Sequence, residues 1–178
     1  MGLLRNDIEA GLNLLPNIPK TDAARVLLFA TSRQENPERH PRQLVKNPIT
    51  KALEPRGPAA GDFQFEIGDP VSRAGVWGVL NHFRVGPIAK AVARAQGVEP
   101  TPSAVFKAIQ TDPVLAAALA RLLYYSTPLA LPVVGDEAGA WAIYTNTWRP
   151  GALARQPGEL RAKWAKSYAD ALAAYALA

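Results

Sequence analysis

The segment Val114 to Tyr125 constrains the fold most. It follows Thr111-Asp112-Pro113, where a carboxylate can cap the first turn and a proline takes the first helical position. So long an apolar run predicts a central helix that other elements must bury. The surrounding pattern is also helical, because Val and Ile rarely alternate with polar residues. Thr21-Asp22 caps a helix through Ala23, Val26, Leu27, Phe29 and Ala30, which stops before Pro37. Further helices are expected over Ser72–Phe83, Pro87–Gln96, from Thr101-Pro102, over Glu137–Trp148 and over Glu159–Ala176. The last carries Leu160, Trp164, Tyr168, Leu172 and Tyr175 at helical spacing and serves as packing.

Two stretches depart from this pattern. Residues 37–60 hold Pro37, Pro41, Pro48, Pro55 and Pro58 among many charges, and predict a long irregular loop framing a site. Residues 61–68 alternate strictly, with Phe63, Phe65 and Ile67 on one side and Asp62, Gln64 and Glu66 on the other, and predict the one short strand. The expected fold class is therefore mainly α with a single short strand or hairpin region. The expected organisation is an N-terminal extension over 1–20 and one domain over 21–178.

Composition narrows the chemistry. With no Cys and only His40 and His82, the chain has no thiol nucleophile, disulfide or Cys-ligated zinc. His82 lies in an apolar helical pattern and reads as a hydrogen-bonded structural histidine. A net charge of +5 favours polyanions, but no run of five basic residues and no zinc-finger or RNA-recognition signature supports nucleic-acid specificity. An anionic cell wall fits the charge as well. Gly75 and Gly78 are not followed by Gly-Lys-Ser/Thr, so no phosphate loop is expected. The N-terminus lacks the apolar core of a secretory signal. The longest uncharged stretch, Leu122 to Gly135, is broken by Pro128 and Pro132 and is too short to span a bilayer.

Three places could carry chemistry. Glu35 ends a buried helix, where the helix dipole and burial would both raise its pKa and keep it protonated as a general acid, against the opposing charges of Arg33 and Arg39. Taken alone, such a glutamate is more often a solvated acid in a helix-terminal ion pair. Asp62, Gln64 and Glu66 would line one side of the 61–68 strand as a cleft wall, or simply face water on an edge strand. The segment 140–151 gathers Trp141, Tyr144, Asn146 and Trp148, whose rings suit stacking on sugars, although Trp141 also fits a core position.

The order Gln34-Glu35, Gly61-x-x-Gln64-Phe65-Glu66, Trp141-x-x-Tyr144 and Trp148-Arg149-Pro150-Gly151 resembles phage-encoded lysozyme-like peptidoglycan-degrading proteins and, more distantly, the lytic transglycosylases. It spans roughly residues 23–151. The tyrosine departs from the transglycosylase pattern, since Thr145 intervenes before Asn146, and Asp62 stands where an apolar residue is usual. The resemblance implies a lysozyme-like α+β domain over 21–178 that cleaves the β-1,4 bond between N-acetylmuramic acid and N-acetylglucosamine. It implies Glu35 as the acid, Gln64 as a substrate-binding residue and Tyr144 as a supporting hydrogen-bonding partner. Glu66 or Asp62 would be the second carboxylate of a muramidase, whereas Glu35 acting alone would make a lytic transglycosylase. Asn146 and Trp148 would extend the glycan contacts. No metal or organic cofactor is required. The expected partners are peptidoglycan strands and other phage virion proteins. The expected setting is a virion-associated enzyme or an endolysin in the host cytoplasm, acting on the periplasmic wall. The competing expectation is a non-catalytic phage structural or wall-binding protein of the same fold.

Overall fold

The computed structural model describes residues 2–176, and the described residues form eight α-helices and one two-stranded antiparallel hairpin. The chain is thus mainly α with a short hairpin. Helix α6 (Pro113–Ser126) runs through the middle, with every residue from Leu115 to Leu122 buried. Its start is capped as the sequence predicts, Asp112 Oδ1 accepting from the Leu115 amide at 2.9 Å. Helix α2 (Asp22–Glu35) is capped likewise by Thr21, whose Oγ1 accepts from the Ala24 amide at 3.2 Å, and it buries Val26 through Ser32. Helices α3 (Gly75–Asn81), α4 (Gly86–Ala95), α5 (Pro102–Ala108), α7 (Glu137–Trp148) and α8 (Pro157–Ala174) surround them.

Four expectations are corrected. Residues 37–60 are not an irregular loop: they contain the hairpin of β1 (Arg42–Lys46) and β2 (Leu53–Ala60), with Leu44 opposite Pro55 and Lys46 opposite Leu53. The prolines concealed it, yet a two-stranded ribbon leaves β2 an unpaired edge that tolerates them. Its turn is built by Asn47, whose Oδ1 accepts from the amides of Ile49 and Thr50 at 2.8 and 3.1 Å.

Residues 61–68 are not a strand. Gln64 takes a left-handed φ of 48°, its amide donates to the Gly61 carbonyl at 3.1 Å, and Phe65 turns back to pair with Ala60. The alternation is lost in this turn, because Asp62 and Phe63, neighbours in sequence, are both buried. Gly61 is needed here: its φ is +70°, and a Cβ would stand 2.4 Å from the Ile109 carbonyl oxygen.

The expected N-terminal extension holds helix α1 (Gly2–Asn13), which lies in the core. It buries Leu4, Ile8 and Leu12 and approaches α6 so closely that a Cβ at Gly11 would lie 2.7 Å from that of Ala117. Helix α3 is shorter than the expected 72–83, since Asp69 captures the amides of Val71 and Ser72 at 2.7 and 3.0 Å in a local turn. His82 caps α3, its Nδ1 accepting from the Arg84 amide at 3.2 Å. Among the described residues, no helix is long and apolar enough to cross a membrane.

Candidate active site

Glu35 is the last residue of α2, and as a residue it is half-buried. The Tyr144 hydroxyl, from α7, donates to Glu35 Oε1 at 2.5 Å. Burial pushes the Glu35 pKa above the usual carboxylate range. The Tyr144 hydrogen bond and the positive charge of Lys163 oppose that rise without cancelling it. Burial and the Glu35 charge together raise the Tyr144 pKa, so the phenol stays neutral and keeps its proton to donate.

Behind this pair the support is aromatic. The Tyr144 ring stacks on Trp164 of α8, with centroids 4.5 Å apart and planes inclined by 17°. Trp141 packs on both rings at 5.7 and 5.9 Å. Lys163 Nζ donates to the Gln34 carbonyl, one residue before Glu35, and so neutralises part of the negative end of α2. Deeper along α2, Thr31 shares a 2.6 Å hydrogen bond with Tyr124 of α6.

The end of α2 is tied to the hairpin base by Asn36. Its Nδ2 donates to the carbonyls of His40 and Gly61 at 2.7 and 3.1 Å, while its Oδ1 accepts from the His40 amide at 3.0 Å. The catalytic candidate and the Gly61–Phe65 turn therefore share one anchor.

The remaining predicted residues divide. Trp148 joins the site's support: its Nε1 donates to the Phe63 carbonyl at 3.0 Å, and its ring packs on Tyr124 at 4.7 Å and Phe65 at 5.8 Å. Gln64 folds back, Nε2 donating to the Gly61 carbonyl at 2.9 Å. Asp62, Gln64 and Glu66 do not share one wall, because the segment is a turn. Asp62 is buried against Arg39, which donates through Nε at 2.9 Å and also bonds Asp7 of α1. Glu66 and Asn146 are exposed. Arg33 and Arg39 are not the charges that oppose Glu35, since Arg33 turns to Asp170 at 3.6 Å and Arg39 to Asp62 and Asp7.

Sequence reasoning missed Lys163 and Trp164, which lie on a helix expected only to pack. Their one signal was the aromatic stripe of α8, to which Trp164 belongs and Lys163 is adjacent. Among the described residues, no group of three or more His, Asp or Glu side chains could hold a metal ion. No protein-family model, no curated protein and no solved structure matches the chain.

Proposed function

We propose that this protein cleaves the glycan strand of peptidoglycan at the β-1,4 bond between N-acetylmuramic acid and N-acetylglucosamine, with Glu35 as general acid. The carrying observation is the Glu35 carboxyl itself. It is held at 2.5 Å by a neutral tyrosine and raised in pKa by burial, on a residue that as a whole is half-buried. Such a group can protonate a leaving glycosidic oxygen near neutral pH. Tyr144 fixes one carboxyl oxygen, which leaves the other to carry the proton.

The arrangement favours Glu35 working without a second carboxylate. Asp62 is committed to Arg39, and Glu66 sits on an exposed turn. In that version Glu35 gives its proton to the departing oxygen as the C1–O bond breaks. The resulting carboxylate then takes the proton of the muramyl 6-hydroxyl as that oxygen bonds to C1, leaving a 1,6-anhydro end. In the hydrolytic version Glu66 activates a water instead. A virion-borne or lysis role in a phage is the setting we attach to this activity, with wall glycan as the partner.

The test is digestion of purified Gram-negative peptidoglycan by wild type and by Glu35→Gln, with the soluble muropeptides identified by mass spectrometry. Anhydro ends from the wild type and none from the variant are expected. Ends one water heavier would show hydrolysis, and their loss in Glu66→Gln would then give Glu66 the second role. Equal cleavage by both proteins would overturn the assignment of Glu35, and no fragments from either would replace the enzyme by a wall-binding protein.

A further inference from the structure

A buried cation without a counter-ion lies at the opposite end of α2. Arg121 of α6 is only 3% exposed. Among the described residues it forms no ion pair, whereas Arg25, Arg39 and Arg161 each reach a carboxylate. Its Nη2 donates to the Pro19 carbonyl at 3.1 Å, while Nε and Nη1 are buried with no hydrogen-bond partner. A guanidinium cannot shed its charge, so a site that desolvates one beside no carboxylate lacks its counter-charge.

Arg121 borders a cavity of about 520 Å³ that also exposes Arg84. The two guanidinium carbons lie 5.4 and 4.3 Å from the centroid of one ring, Tyr125. Among the described residues no Asp or Glu lines the cavity, whose remaining wall is largely the apolar run Pro128–Val133. Two unneutralised cations facing an apolar wall call for a ligand with a negative head and a small apolar body.

We propose that this cavity binds a carboxylate carried on a small apolar group, with Arg121 and Arg84 as its partners. A planar carboxylate matches the guanidinium fork, and the aliphatic wall suits a methyl side chain. Resting on the peptidoglycan reading, the source is the D-alanine carboxylate at the end of a wall peptide stem. The cavity lies at the Pro19 and Thr21 end of α2, one helix length of about 20 Å from Glu35. An extended stem of about five residues covers roughly 17 Å of that, and the lactyl ether that joins it to the muramyl ring must supply the remainder.

The experiment titrates N-acetyl-D-alanyl-D-alanine into the full chain by calorimetry, beside its C-terminal amide and inorganic phosphate. Saturable binding of the acid is expected, at least about tenfold weaker in Arg121→Met and in Arg84→Met, and absent for the amide. Thermal melts of Arg121→Met serve as the folding control, with a midpoint no lower than that of wild type. Absence of binding, equal binding of acid and amide, or binding of phosphate alone would overturn the proposal. So would acid binding that neither variant weakens. Glycan cleavage that persists while the dipeptide fails to bind would remove this pocket alone. Dipeptide binding in a protein that releases no muropeptides would remove the enzymatic reading alone.

Discussion

Glu35 is held between influences of opposite sign, which makes its ionisation predictable under mutation. Burial raises its pKa, and the Tyr144 hydroxyl and Lys163 charge lower it. Removing either opponent leaves burial unbalanced, so Tyr144→Phe and Lys163→Met should each move the alkaline limb of the pH–activity profile upward. Tyr144→Phe should also reduce the rate by about 10- to 100-fold, because the carboxyl loses its fixed orientation. A limb that moves down in either variant would contradict this balance. The same raised pKa has a stability sign. The folded protein binds the Glu35 proton more tightly than the unfolded chain, so this stabilisation is complete below the ordinary value of 4.5 and is lost as the pH rises through the folded value. Glu35→Gln never forms the buried charge. Its melting temperature should exceed that of wild type at neutral pH, and the difference should close on acidification. Glu35 and Tyr144 were legible as single residues, since a glutamate before a helix stop and a tyrosine in an aromatic helix leave clear traces. Lys163 was not, because its importance comes from reaching the Gln34 carbonyl, a contact 129 residues apart in the chain.

At the scale of elements, the helices were legible because their caps are local chemistry. Thr21, Thr101 and Asp112 each satisfy an amide three residues on, as their sequence positions predict. A short hairpin was expected, but its place in the chain and the Gly61–Phe65 turn were not legible. Prolines in β2 suggested a loop, and the alternation of 61–68 is a periodicity that a turn can carry when one residue adopts φ > 0. Helix α1 left a signal in the spacing of Leu4, Ile8 and Leu12, all buried. Its contact with α6 admits no side chain at Gly11. Gly11→Val should destabilise the protein by about 1–3 kcal/mol, measured by urea unfolding, since the added atoms meet Ala117 and the Val114 carbonyl. An unchanged midpoint would mean that the two helices can part without cost.

Across the molecule, one apolar cluster joins α1, α2, the Gly61–Phe65 turn, α6, α7 and α8, so the site is not borne on a separable piece. Far-UV circular dichroism and tryptophan fluorescence should therefore report coincident denaturant transitions. Separate midpoints would divide α1 or the hairpin from the rest. The stacking of Trp164 on Tyr144 has one more consequence. An indole lies within 4.5 Å of the ring whose hydroxyl holds Glu35, so the proposed acid carries its own optical reporter. As Glu35 loses its proton, a negative charge appears next to that stack, and the emission of Trp164 should follow the titration. A fluorescence step with pH that is present in wild type and flat in Glu35→Gln would show the ionisation directly, with no substrate present.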